Sequence, residues 1–191
     1  MIEGASVRSF FETLGTLDIP FMVGGSLASS AHGNPRQTND IDIVIHIRHD
    51  NVDRFVAAFK DEYMVSRPSI VEALDEVGEY RSFQISHYES LLRVDCFLPG
   101  HTEFERSEFS RRTSVEILDG LEVPVASAED TVLRKLLWFD LGGRVSDRQW
   151  NDIVGVLEVQ RGQLDEAYLD DWASKLGIKA MLDKACSQVI V

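Results

Sequence analysis

The sequence predicts an α+β fold, a mixed β-sheet flanked by helices and followed by a C-terminal helical subdomain. Three observations carry this. Residues 41–47 alternate strictly, with Ile41, Ile43, Ile45 and Ile47 on one side and Asp42, Val44 and His46 on the other. That period of two is the mark of a strand with one buried face. Residues 80–86 and 91–98 are two strand-like runs joined by His87-Tyr88-Glu89-Ser90, which reads as a hairpin. Beyond Val125 the apolar period lengthens to that of helices, dividing a core at residues 1–126 from a helical subdomain at 127–191.

The remaining elements follow in order. Residues 6–17 carry Val7, Phe10, Phe11, Leu14 and Leu17 at helical spacing. Residues 19–23 form a short apolar run that ends at Gly24-Gly25 and reads as a buried strand. Residues 26–31 are small and helix-compatible until His32-Gly33-Asn34-Pro35 breaks them. A helix is expected over 51–59, from Val52, Phe55, Val56 and Phe59, and a strand over 121–125 after the Asp119-Gly120 turn. Ser127-Ala128-Glu129-Asp130 has the form of a capping box, and Val132, Leu133, Leu136 and Leu137 continue from it as an amphipathic helix. Trp150, Ile153, Val154 and Leu157 mark the next helix, and the stretch from Asp165 onward is helical too.

Composition narrows the function. The chain has 191 residues, enough for a sizeable core, and its 44% apolar and 27% charged residues are those of a globular protein. No apolar run approaches the ~18 residues that span a bilayer, and the first residues lack the basic and apolar regions of a secretory signal. Cys96 and Cys186 fit no metal or redox spacing, so two reduced thiols and a cytoplasmic location are expected. The formal charge of −13 disfavours nonspecific binding to long nucleic acid, while leaving room for a local basic site.

The segment from Gly24 to Ile45 poses the chemical question. Asp40 and Asp42 lie two apart on a strand, so they project to one side, and two like charges there repel. A divalent cation between them turns that repulsion into binding, and a hard ion such as Mg²⁺ suits carboxylate ligands; a solvated strand end is the plainer reading of the pair alone. Gly24-Gly25-Ser26 stands where a strand enters a helix, so backbone N–H groups and a hydroxyl face an incoming anion. Asp95 is the one acid in the otherwise apolar run 91–98 and supplies a third carboxylate if the two strands are neighbours.

Together, Gly24-Gly25-Ser26, Asp40-Ile41-Asp42 and Asp95 resemble the signature of the nucleotidyltransferase superfamily, which includes DNA polymerase beta, kanamycin nucleotidyltransferase and the minimal nucleotidyltransferases. The wording from Arg36 to Asp42, and Ser127 to Asp130 leading into Arg134-Lys135, looks most like the AbiEii-type toxin branch. The resemblance implies a nucleotidyltransferase fold and Mg²⁺-dependent transfer of NMP from an NTP to an acceptor hydroxyl. Asp40 and Asp42 would hold two Mg²⁺ ions, and Asp95 would bind the catalytic one and take the proton of the attacking hydroxyl. The acceptor is left open among a tRNA end, a protein and a small molecule, and a cognate antitoxin is a further expected partner. A non-catalytic nucleotide- or partner-binding module and a two-metal phosphodiesterase are the rival readings.

Other residues are weighed around this centre. Arg36 in the loop before the aspartates, Thr38 beside it and Lys135 on the first C-terminal helix are candidate contacts of the triphosphate, with Gly24, Gly25 and Ser26. Arg106, Arg111, Arg112, Arg144 and Arg148 form two basic groups able to line an acceptor site. The five histidines show no ligand spacing, and Trp138 and Trp150 fall at helical core positions.

Overall fold

The computed structural model describes residues 4–78 and 81–189. In chain order these form α1 (Gly4–Gly15), β1 (Phe21–Val23), α2 (Gly25–His32), β2 (Asp40–Ile45), α3 (Val52–Phe59), β3 (Tyr63–Met64), α4 (Arg67–Asp75), β4 (Ser82–His87) and β5 (Arg93–Phe97). They continue with α5 (Glu103–Ser110), β6 (Thr113–Leu118), β7 (Leu121–Val125), α6 (Ala128–Leu141), α7 (Asp147–Val159), α8 (Glu166–Lys175) and α9 (Lys179–Cys186). The strands make one mixed sheet in the order β3-β4-β5-β2-β1-β7-β6. Strands β2 and β5 are parallel, as are β1 and β7, and the other pairs are antiparallel.

Alternation in β2 decides which way the sheet faces. Ile41, Ile43 and Ile45 are fully buried against Val94, Cys96, Phe83 and Ile85 and the aromatic cluster of Phe10, Phe55 and Phe59 from α1 and α3. The opposite face carries Asp40, Asp42, Val44 and His46, while Ile70 and Ala73 of α4 join the isoleucine side. A second apolar cluster joins α6 to α9, with Val132, Leu133, Leu136, Ile153 and Val156 at its centre and Phe104 of α5 packed into it.

A buried acid ties the sheet to this helical cluster. Asp130, with no exposed surface, accepts hydrogen bonds from the Ser127 hydroxyl (2.7 Å), the Tyr168 hydroxyl (2.6 Å) and Arg111 Nε (3.3 Å). Arg111 also pairs with Glu129 and lies over the Tyr168 ring, 3.9 Å from its centroid. A buried carboxylate is tolerable only when paired and hydrogen-bonded in this way. Ser127 Oγ accepts from the Asp130 N–H and donates to the Asp130 carboxylate, so Ser127 caps α6, but the reciprocal bond of the expected capping box, from the Ser127 N–H to the Asp130 side chain, is replaced by this hydroxyl bond.

The expected strands and helices are present, with shifts of a few residues at their ends. The run 80–86 begins at Ser82; Tyr80, where that reading started, lies outside the described residues. Four elements went unpredicted: β3, α4, α5 and β6. Strand β6 is a half-exposed edge strand with little apolar alternation, and α5 (EFERSEFS) is mostly polar, with only Phe104 and Glu108 buried. For α5 a signal was available in Thr102, which accepts from Glu105 N–H while the Glu105 carboxylate accepts from Thr102 N–H. Among the described residues no helix is long and apolar enough to cross a membrane, and both cysteines are free.

Candidate functional site

The register of β2 on β5 brings the predicted acids together. Asp42 sits directly opposite Asp95, and Asp40 opposite Arg93, so all four side chains share the open sheet face. Asp42 packs directly against Gly25. Burial, with Asp95 and Asp40 nearby, holds its carboxyl above the ordinary carboxylate range. Lys135 and the Ser26 N–H, which donates to it, act in the opposite sense.

Arg93 was not singled out in the sequence, and it stands among these acids. Its Nη2 lies 3.0 Å from Asp40 Oδ2 and its Nε 3.2 Å from Asp95 Oδ2. The other Asp95 oxygen accepts from Gln84 Nε2 at 3.0 Å. Among the described residues no three His, Cys, Asp or Glu side chains already converge as a metal cage. The donor set nevertheless fits a hard divalent cation: three carboxylates share one face, and the arginine that bridges two of them is half-exposed and able to give way.

The glycine turn packs directly on the acids. Gly24 N–H donates to the Asp42 backbone carbonyl (2.9 Å) and caps α2. Gly25 has φ +55, and a Cβ there would stand 1.8 Å from Asp42 Oδ2. Only glycine combines that backbone with that approach.

Beside the turn, Arg36 and Lys135 meet on a residue that sequence reasoning missed. Asp152 of α7 accepts from Arg36 through both oxygens (2.7 and 2.9 Å) and from Lys135 Nζ at 2.7 Å. Arg36 Nη2 also donates to Ser26 Oγ at 2.6 Å, so the Ser26 hydroxyl keeps its own proton to donate. The two cations expected at a triphosphate are thus held by a carboxylate of the helical cluster. Burial pulls the Lys135 ammonium below its ordinary value despite Asp152, while Arg36 and Lys135 draw the Asp152 carboxyl below its own. No signal short of the fold marks Asp152, because it is 116 residues from Arg36.

A cavity of about 820 Å³ opens over this face, with Gly24, Gly25, Ser26, Arg36, Asp42 and Lys135 in its wall. Asp40 and Asp95 lie beside Asp42 on the same face rather than in the wall. Thr38 is also outside it, and its hydroxyl accepts from the Asp40 N–H at 3.4 Å as part of the turn. Of the predicted basic groups, Arg106, Arg112 and Arg148 line the cavity. Arg111 belongs to the Asp130 junction, and Arg144 pairs with Asp140 on the exposed side of α6. Trp150 packs on Phe139 as expected, whereas Trp138 faces the cavity and is 37% exposed.

The fold is of the nucleotidyltransferase type: a mixed sheet bearing the glycine turn and the acids on one face, followed by α6 to α9. Solved structures of the superfamily superpose on it. ANT(2″)-Ia in complex with adenylyl-2″-tobramycin aligns with a TM-score of 0.60 at 13% identity, covering 90% of this chain and 97% of that one. An antigenic nucleotidyltransferase-like protein from Paracoccidioides brasiliensis aligns at 0.52 and 19% identity, over 97% and 92% of the two chains. The lincosamide antibiotic adenylyltransferase LnuA, bound to lincomycin, aligns at 0.50 and 11% identity, over 83% and 98%. No protein-family model and no curated protein matches the sequence.

Proposed function

We propose that this chain is a Mg²⁺-dependent nucleotidyltransferase that moves NMP from an NTP to an acceptor hydroxyl. The observation that supports it best is the register placing Asp42 opposite Asp95, with Asp40 on the same face, in front of the Gly24-Gly25-Ser26 turn. Residues 1–126 would supply the acids and the turn, and residues 127–191 Lys135 and Asp152. Asp40, Asp42 and Asp95 would hold Mg²⁺, which when bound polarises the α-phosphate and offsets the charge of the departing pyrophosphate.

The chain's own groups then divide the work. Ser26 Oγ and the N-terminus of α2 bind the phosphates. Arg36 and Lys135 turn from Asp152 toward the triphosphate. Asp95, released from Arg93, accepts the proton of the acceptor hydroxyl as the new O–P bond forms and the bond to pyrophosphate breaks. The adenylyltransferases that share the fold favour ATP as donor, and nothing in the structure favours an antitoxin over other partners.

The test is incubation with Mg²⁺ and each α-labelled NTP, offering total tRNA, cell protein and small metabolites as acceptors. Label transferred by the wild type and not by Asp42→Asn supports the proposal and names donor and acceptor. Tight nucleotide binding with no label transferred to any acceptor refutes it in favour of a binding module, and release of inorganic products without transfer favours a phosphodiesterase.

A further inference from the structure

The cavity carries more positive charge than a metal-bound triphosphate uses. Beyond Arg36, Lys135 and Arg134, which pairs with Glu108, four arginines line it: Arg81, Arg106, Arg112 and Arg148. None has a carboxylate within ion-pair distance among the described residues. Arg81 donates to the Pro99 carbonyl (2.9 Å), and Arg106 and Arg112 donate to the carbonyls of His101 and Phe109. Arg112 also lies over the Phe109 ring (4.0 Å), which itself stacks on His46 at 4.0 Å. The carboxylates of the wall are all engaged. Glu108 pairs with Arg134, Glu105 caps α5, and Asp42 accepts from Ser26.

Position separates Arg81, Arg106 and Arg112 from the acids. His46 lies four residues beyond Asp42 in extended chain, and Pro99 four beyond Asp95, about 13 Å along the strands at ~3.3 Å per residue. Arg112 and Arg81 attach at those far points. A cavity of about 820 Å³ is of the size that takes small molecules, typically ~300–1,000 Å³.

We infer that the far end of this cavity binds the phosphate group of a small phosphorylated acceptor, whose hydroxyl then reaches the carboxylate end. Arginine forks match phosphate geometry, and a phosphate monoester carries up to two charges at neutral pH. A polycationic acceptor would meet unpaired arginines and carboxylates already engaged. A long RNA would meet the repulsion of a chain with formal charge −13. As an acceptor site this rests on the nucleotidyltransferase reading; as a phosphate site it does not.

The test therefore begins without nucleotide. Wild type, Arg106→Ala, Arg112→Ala and Arg144→Ala are titrated with inorganic phosphate, ribose 5-phosphate, ribose, tobramycin and a short RNA, following tryptophan fluorescence and thermal shift. Binding of phosphate and ribose 5-phosphate but not ribose is expected, weakened roughly 10-fold or more by each cavity variant and unchanged by Arg144→Ala. No phosphate-dependent binding, equal binding of ribose, preference for tobramycin or for RNA, or equal loss in Arg144→Ala overturns the inference. Phosphate binding that depends on Arg106 and Arg112, with no label transferred from any NTP, supports the site while refuting the transferase reading.

Discussion

Two adjacent glycines should respond very differently to the same methyl group. At Gly25 an added Cβ would lie 1.8 Å from Asp42 Oδ2, 2.5 Å from its Cγ and 2.8 Å from its Cβ. Ordinary contact begins near 3.4 Å, so the carboxylate must retreat by well over an ångström. The backbone at φ +55 adds about 1–2 kcal/mol for a non-glycine residue. At Gly24 the nearest atom to an added Cβ is the Asp42 carbonyl oxygen at 4.0 Å, and φ is −124. Gly25→Ala should therefore lower stability by about 1–2 kcal/mol and reduce transfer by ~100-fold or more, since a misplacement near 1 Å has that effect. Gly24→Ala should change stability by less than about 1 kcal/mol. Urea unfolding and pyrophosphate release from each NTP measure both quantities. If the two variants behave alike, or Gly25→Ala keeps wild-type turnover, the argument that Gly25 exists to seat Asp42 is wrong.

Further perturbations read other parts of the site. Asp152→Ala leaves buried Lys135 without its partner and should cost about 3–5 kcal/mol in urea unfolding, with part restored by adding Lys135→Met; an unchanged midpoint would contradict this. Asp42→Asn should raise the thermal midpoint of the metal-free protein at neutral pH, where burial opposes its charge, and abolish any increase caused by Mg²⁺. Arg93→Gln removes the cation competing for Asp40 and Asp95, so Mn²⁺ affinity by calorimetry should rise a few-fold; because the pair is half-exposed, a larger gain is not expected. Burial and Arg112 hold the His46 imidazole below its ordinary value, so the folded state resists a proton that the unfolded chain accepts. Stability should fall as pH drops through about 6.5, and His46→Gln should flatten that slope in urea midpoints taken from pH 5 to 7.5.

What the sequence disclosed follows from the range of the interactions. The isoleucine alternation is local, so it identified β2 and its buried face, and the two aspartates had to share the other face. The glycine turn and the Ser127 cap are likewise local. Asp95 was named because an isolated acid in an apolar run needs a reason, and the β2–β5 register supplies one. Arg93 was passed over because a single arginine at a strand start carries no pattern; only its place opposite Asp40 gives it meaning. Asp152 was invisible because its role depends on α7 meeting α6 and the loop before β2. Helix α5 and strand β6 escaped because their exposed, charged residues leave little periodicity, although they bring Arg106, Arg112 and the Phe109 ring to the cavity.

Under the proposed function, the pairing of Arg36 and Lys135 with Asp152 would change what nucleotide binding involves. Two bare cations in a half-enclosed cavity would draw in any anion from solution, and their affinity would decline steeply with added salt. Here a resident carboxylate already satisfies them, so an arriving triphosphate would have to exchange with it. The free energy of such an exchange is a difference between two anions, each holding the same two cations. Ligands with a single weak charge would lose that comparison to Asp152, whereas a highly charged chain of phosphates would compete with it. On that reading, the helix that contributes Asp152 would act as a threshold, keeping the cations silent toward ordinary cellular anions until a nucleotide arrives.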